Sequence, residues 1–433
     1  MKWLTLLIAF LLAIPTSGVI KESYKVEQIK CNESLGEAWL KEIDGVRVLY
    51  IEGTNYEMGY QHGYLLRNET KEDLRAILNN AMQYNMTKEK LLQIWNITKQ
   101  HIPQEYIQEL HGLADGACVS FEEVAAAYMA IISWGAKCFG IAMWGNATKD
   151  GKLYFFRSFD LPMDMTDPLT GKRMHDNAVL IVRKPENGYA SITPSIAGSL
   201  HGGGGFNEVG ITIGMHTSPS HDYTFRGIPA VFRVQQVLDH ASNIEQAVHY
   251  LVTNRTAGWT FIVADEKLGY AVETTASHYY AGTFNDSVES TSPFWEIKDV
   301  VRRTNFFIAP ELAATQRPHY NPAGIKGFMR IFKGEPYFVI WRSYKVMSEL
   351  IEKNYGSFDL NTSMQLFQRG YRGDTDLMLK ILIKLAKGTS FNRAWNMWVA
   401  CPENGDIVVS FAHGNKIAFD MPYHYFNLYK LLQ

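Results

Sequence analysis

Apolar residues recur every three to four positions along Asn55 to Arg67, Lys71 to Tyr84, Lys88 to Lys99 and Gln104 to Leu113, with few breakers inside these stretches. That spacing gathers the apolar side chains on one helix face, so the stretches predict a helical layer. A further helix is marked at its start by Ser120 and Glu123, a capping box in which each side chain satisfies a backbone N–H left open by the first turn. Phe121, Val124, Ala125, Tyr128, Ile131 and Ile132 share its apolar face, and Gly135 supplies its stop.

Near residue 137 the period changes to two. Phe139, Ile141 and Met143 alternate with Cys138, Gly140, Ala142 and Trp144, which makes Cys138 the first residue of a predicted strand. Asp150-Gly151 is a turn signal, Lys152 to Ser158 is the returning strand of a hairpin, and Leu161-Pro162 ends it. Strand patterns follow at Ala178 to Val182, Gly210 to Met215, Trp259 to Ala264, Tyr270 to Glu273, Ala394 to Ala400 and Asp406 to Phe411. Helices fit Pro229 to Asp239, Ile244 to Val252, Arg342 to Lys353 and Leu377 to Lys387. Hairpins interrupted by helix pairs predict an α+β fold, a four-layer αββα sandwich, rather than a doubly wound parallel sheet.

Composition adds the compartment. The 433 residues, 46% of them hydrophobic, suffice for a large core. The 42 basic and 44 acidic residues are spread along the chain and leave no basic field for nucleic acid. Met1-Lys2 precede an apolar run from Trp3 to Ile14 and then Pro15 to Gly18, the pattern of a cleaved signal peptide over residues 1–18. The run falls short of the roughly 20 apolar residues of a membrane-spanning helix, and an uncleaved anchor is the alternative. Asn32, Asn68, Asn85, Asn96, Asn146, Asn254, Asn285 and Asn361 head Asn-x-Ser/Thr sequons, as in a secreted glycoprotein.

The four cysteines, Cys31, Cys118, Cys138 and Cys401, show no CxxC spacing, and the histidines at 62, 111, 175, 216 and 221 show no ligand spacing, so no metal or other cofactor is called for. If Cys138 is a free nucleophile, at most one disulfide can form among the other three. An isolated cysteine opening a strand is, on its own, more often a small buried hydrophobe than a nucleophile. The hairpin, however, delivers Arg157 and Asp160 near it, and an arginine beside a thiol favours the thiolate. Three residues apart, Arg157 and Asp160 point to opposite faces of an ideal strand, so their convergence requires a twist or a stop near Ser158; a structural ion pair is the other reading.

These residues resemble the cysteine peptidase family C45 acyltransferases and hydrolases, which include isopenicillin-N acyltransferase, within the N-terminal-nucleophile superfamily. Bile-salt hydrolase and penicillin V acylase are similar at greater distance. Glu52-Gly-Thr-Asn-Tyr-Glu-Met-Gly-Tyr-Gln-His-Gly63 resembles the family's propeptide signature, and Cys138, Asp150-Gly151 and Arg157-Ser-Phe-Asp160 resemble its nucleophile hairpin. Phe206-Asn-Glu-Val-Gly210 is similar to a strand that puts Asn207 at the oxyanion, Thr304-Asn305 to the element whose asparagine also faces it, and Arg342 to a second active-site arginine. Lys137 and Phe139 depart from the small residue and the Ser or Thr that often flank the family's nucleophile.

The resemblance implies an N-terminal-nucleophile sandwich carrying a helical prosegment (19–137) and a catalytic chain (138–433) that stay associated after cleavage at Lys137-Cys138. It also implies a small acyl amide as substrate. The freed α-amine, which ordinarily titrates at about 7.7–8, would serve as base for its own thiol. Transfer of the acyl group to an amine is an alternative, and so is a non-catalytic secreted binding module with the same fold. His201 and the glycines after it invite a lipase reading, but no GxSxG elbow supplies a serine; a turn before a strand, or a close backbone approach, explains the glycines better. Trp395, Trp398 and Tyr344 could line an acyl pocket, although aromatic residues on strands are more often core.

Overall fold

The computed structural model describes residues 36–131, 137–316, 323–333, 337–385 and 393–433, so the predicted signal peptide, Cys31, Asn32 and Gly135 lie outside the described residues. The chain opens with β1 (Trp39–Ile43) and β2 (Val46–Gly53), then runs through α1 (Asn55–Leu65), α2 (Arg67–Gln83), α3 (Lys88–Thr98), α4 (Gln104–Ala117) and α5 (Phe121–Ala130). Next come β3 (Lys137–Gly145), β4 (Gly151–Leu161), β5 (Ala178–Pro185), β6 (Ser191–Ile196), β7 (Gly204–Asn207), β8 (Thr212–Thr217), α6 (Ala230–His240) and α7 (Ile244–Val252). They are followed by β9 (Trp259–Ala264), β10 (Gly269–Thr274), β11 (Tyr279–Gly282), β12 (Val300–Arg303), α8 (Pro310–Thr315) and α9 (Ile325–Arg330). The chain ends with α10 (Tyr337–Lys353), α11 (Leu360–Arg372), α12 (Leu377–Leu385), β13 (Arg393–Cys401), β14 (Asp406–Phe411), β15 (His424–Asn427) and α13 (Leu428–Leu431).

The strands form a nine-stranded sheet, ordered β1-β2-β5-β6-β7-β8-β9-β10-β11, and a six-stranded sheet, ordered β12-β3-β4-β13-β14-β15. Period-two alternation decides which side chains meet between them: Ala142, Phe155 and Trp398 pack on Val48, Leu180, Phe206 and Ile262. The outer face of the six-stranded sheet is covered by α10 and α11, with Tyr344, Met347 and Phe367 on Phe139, Ile141 and Phe156. The outer face of the other sheet is covered by α6 and α7 at one part and by α1 at another. This is the expected α+β, αββα sandwich. Trp395, Trp398 and Tyr344 fall in three separate cores and form no common pocket.

The segment before β3 differs from its sequence reading in one respect. Before its helices it supplies two strands, and β2 runs parallel to β5, pairing Val48 with Leu180 and Tyr50 with Val182. The burial of β2 on both faces hides the alternation by which a half-exposed strand is read.

Helix α4 also runs past Leu113 to Ala117, through Gly112 and Gly116. Those glycines face Gly59 and Gly63 of α1: a Cβ on any of the four would overlap the backbone of the opposite helix. The propeptide-like signature is therefore a helix crossing, pinned at its start by a Thr54–Glu57 capping box. Gly112→Val should lower unfolding stability by about 3 kcal/mol or more, because neither backbone can move aside without breaking the crossing. Urea denaturation checks this, and an unshifted midpoint would show that the two helices can separate freely.

Candidate active site

Cys138 sits at the start of β3, 2 % exposed, where α2 and α5 close the end of the sandwich. Its main chain is held from β12 and the turn after it. The Cys138 N–H donates to Asn305 Oδ1 at 2.7 Å, and the Thr304 hydroxyl donates to the Cys138 carbonyl at 2.6 Å. Asn305 Nδ2 donates to the Thr217 carbonyl at 2.8 Å and lies 3.1 Å from its hydroxyl, which ties β8 to the nucleophile.

The side chain is addressed by Arg157, across the hairpin on β4, whose Nη2 lies 3.7 Å from Cys138 Sγ. The guanidinium is fully buried and spends its other donors on main-chain carbonyls: Nε on Gly203 at 2.9 Å, Nη2 on Met215 at 2.6 Å, and Nη1 on Ser158. Gly203 and Gly214 make room for it, since a Cβ on Gly203 would lie 2.5 Å from Nη2 and one on Gly214 2.7 Å from Cδ. The glycine run after His201 thus serves a close backbone approach, to an arginine.

Asp160 reaches the site in another way than the sequence suggested. Strand β4 neither stops nor breaks near Ser158 but continues to Leu161, with Asp160 opposite Lys137 and Phe159 opposite Cys138. Instead of a side-chain turn, the Asp160 backbone hydrogen-bonds the thiol, while its buried carboxylate acts on the thiol as a nearby negative charge. Burial is the largest influence on Cys138 and pushes the thiol up; Arg157 pulls it down without winning. Burial thus outweighs the arginine at this thiol, a correction to the expectation that the arginine alone would favour the thiolate.

Cys138 opens on an apolar cavity. Leu74, Ile77 and Ile131 wall it from the prosegment, and Ile196, Val231 and Trp259 from the rest of the chain. The loop 198–203 forms one side and is fixed by two residues missed in the sequence reading. His62 Nε2 accepts the Gly198 N–H at 2.9 Å, and the Tyr128 hydroxyl donates to the Gly198 carbonyl at 3.1 Å and accepts from Leu200 N–H at 3.0 Å. His201 closes the loop by accepting the Gly203 N–H at 3.0 Å on Nδ1, so that Nε2 donates to the Val231 carbonyl.

Two other expected residues lie elsewhere. Asn207 Nδ2 donates to the Leu238 and Ala241 carbonyls at 3.0 and 2.9 Å and its Oδ1 accepts the Ile211 N–H, so it caps the end of α6 and does not line the cavity. Arg342 pairs with Asp376 between α10 and α12 in the outer helical layer. Both motifs were too short to say which way their side chains turn. Thr217, which touches both Asn305 and the cavity, is the residue the sequence reading lacked in place of Asn207.

The remaining cysteines settle simply: Cys401 is free and buried, and Cys118 is disulfide-bonded at the left-handed end of α4. Among the described residues no group of three or more His, Cys, Asp or Glu could hold a metal ion.

Burial holds His62 and His201 neutral, pushed down to about 3 and about 4. A histidine depressed on folding contributes stability that is complete above its unfolded value near 6.5 and is lost as pH falls toward the folded value. His62→Gln keeps an acceptor for Gly198 and removes that acid-sensitive part. The stability gap between wild type and variant should therefore shift in the variant's favour by a few kcal/mol, on the order of 1.4 per unit, from pH 7 to pH 4. Parallel urea-denaturation profiles for the two would refute this role for His62.

Residues 147–324 match the model of the family described as acyl-coenzyme A:6-aminopenicillanic acid acyl-transferase. The match bears out the family resemblance drawn from the sequence; Arg157, Asp160, Asn207 and Asn305 fall inside it, Cys138 and Arg342 outside. An uncharacterized protein of Archaeoglobus fulgidus is 25% identical over 431 residues, covering 87% of this chain and 66% of its own. Protein dcd1B of Dictyostelium discoideum is 25% identical over 232 residues, 47% of this chain and 45% of its own. The chain thus spans just under two thirds of the first relative and under half of the second. Among solved structures, a mutant of the conjugated bile acid hydrolase from Clostridium perfringens aligns over 68% of this chain and 93% of its own, at 13% identity and a TM-score of 0.35.

Proposed function

We propose that this protein is a secreted, self-processing cysteine amidohydrolase whose nucleophile is Cys138. The observation that carries the reading is one arrangement: a thiol at an apolar cavity, a buried guanidinium 3.7 Å from it, and an asparagine side chain on its main-chain nitrogen. In the precursor, Cys138 Sγ attacks the Lys137 carbonyl carbon, and the peptide nitrogen leaves as the Cys138 amine, giving a thioester. Water cleaves the thioester to free the Lys137 carboxylate and regenerate the thiol. The nitrogen that now donates to Asn305 becomes an α-amine, held where it can take the thiol proton without a histidine. The thiolate then attacks a substrate amide, the amine leaves with a proton from the N-terminus, and water releases the acid.

The cavity walls favour an apolar acyl group, and Asn305 Nδ2 and Thr217 stand beside the thiol as candidates to meet the oxyanion. Association of the two chains after cleavage is supported by the β2–β5 pairing and by a buried cluster in which Arg183 of β5 takes Glu109 of α4 and lies 3.6 Å from Asp239 of α6. Secretion is supported by the sequons: Asn68, Asn85, Asn96, Asn146, Asn254, Asn285 and Asn361 are all exposed. Outside the cell water is plentiful and acyl-coenzyme A scarce, which favours hydrolysis over the acyl transfer in the matched family's description.

The test is a series of N-acyl amides of increasing acyl length incubated with the processed protein. Amine release that rises with chain length and disappears on blocking Cys138 with iodoacetamide supports the reading. Acyl transfer from a coenzyme A thioester at a higher rate than hydrolysis would replace it with the acyltransferase, and a full-length chain inert toward every amide would favour the binding module.

A further inference from the structure

Outside the cavity walls, α9 and α12 pack on α10 through a small core of Ile331, Val339, Val346, Leu379 and Leu382. Their outward faces are as apolar as that core. Ile325 is 79% exposed, Phe332 69% and Leu377 74%, with Met329, Met378 and Ile381 about half exposed beside them. Single exposed apolar residues are ordinary, but six large ones on α9, the turn that follows it and α12, all packed on α10, make a surface that monomeric proteins seldom leave open.

The charges on the two helices have one sign. Lys326 lies on α9 and Lys380 and Lys384 on α12, and neither 323–333 nor 377–385 contains Asp or Glu, in a chain whose formal net charge is -2. Acids flank these stretches: Glu335 follows the first in sequence, and before α12 Asp376 is taken by Arg342 and Asp374 lies 3.6 Å from Lys380. Lysines interleaved with exposed Leu, Ile, Met and Phe are typical of helices that lie in a lipid interface, with stems among the acyl chains and ammonium groups at the phosphates. Protein–protein interfaces, by contrast, are depleted in lysine at their centre.

We propose that α9 and α12 form a peripheral attachment surface for an anionic lipid bilayer. No helix among the described residues is long and apolar enough to cross a membrane. The surface is also well placed. Tyr371, near the end of α11, accepts a hydrogen bond from Ser158 at 2.6 Å and packs edge-on against Phe139, the residue after Cys138. The end of α11, which leads into α12, is thereby held beside the strand that carries Cys138.

Flotation of the full chain with vesicles of phosphatidylcholine alone and of phosphatidylcholine with phosphatidylserine tests the proposal. Binding should be about tenfold or more stronger to the anionic vesicles and should weaken with salt. The double variant Leu377→Glu/Ile381→Glu should lose about tenfold or more in vesicle partition. So should the charge reversal Lys326→Glu/Lys384→Glu, with thermal melting unchanged for the latter because both lysines are exposed. Equal binding to both vesicle types, no binding, or variants that bind like wild type would overturn it. So would a wild-type dimer that the same variants dissolve, which would assign the face to a second copy of the chain.

Discussion

Replacing Cys138 by alanine leaves a single unprocessed chain and reduces amide turnover by on the order of 10⁴-fold or more, since no second thiol among the described residues lines the cavity to form the acyl-enzyme. The free thiol of Cys401 cannot substitute: it is buried and pushed up to about 11. Cys138→Ser separates the two reactions that this one atom performs. Serine retains an attacking oxygen beside the Lys137 carbonyl but is a far weaker nucleophile at neutral pH, so processing should slow from fast to measurable while turnover of added amide stays near the alanine level. Electrophoresis over time and an amine-release assay read the two separately. Normal processing in Cys138→Ala would mean that another protease makes the cut, and undiminished turnover would remove Cys138 from the mechanism.

Arg157→Met should cost about 3–5 kcal/mol of stability and at least a hundredfold in turnover. The size follows from where the guanidinium is. It is wholly enclosed, and its donors occupy the carbonyls of Gly203, Met215 and Ser158. Methionine fills the volume but takes these donors away, leaving the Gly203 carbonyl only the Met215 N–H, and each lost buried hydrogen bond costs on the order of 1–3 kcal/mol. It also removes the positive charge drawn toward the thiol, leaving the Asp160 backbone hydrogen bond to oppose burial at Cys138. Arg157→Lys is the informative partner: it keeps the charge but not the planar fork, so it should recover more turnover than stability. Denaturation midpoints and amine release measure both. Wild-type stability in Arg157→Met would mean that the loop 198–203 does not depend on the guanidinium.

The site was legible in proportion to how local its geometry is. A hairpin joins Cys138 to Arg157, and both follow from a period of two, a turn signal and a count of residues. Asn305 was also reachable, because Thr304-Asn305 directly follows β12, the strand that pairs with β3. Asn207 and Arg342 failed for the opposite reason. Each sits in a short motif at an element boundary, and which way it turns is decided by what packs there: the carbonyls ending α6 in one case and Asp376 in the other. Helix α11 was passed over for its polar composition, although Met364, Phe367 and Tyr371 mark a buried face and Asp359 caps its start.

By itself, then, the sequence determined the helices before residue 137, the change of period there, the hairpin of Cys138 and Arg157 and the αββα class, because each depends on periodicity or on neighbours a few residues apart. Only the tertiary structure decided the rest. It joined β2 to β5, set four glycines of α1 and α4 against each other, and brought His62 and Tyr128 under the loop that walls the cavity. It also decided the state of the nucleophile. The arginine beside Cys138 is visible in the chain, but the burial that outweighs it exists only once prosegment and sandwich have closed over the thiol.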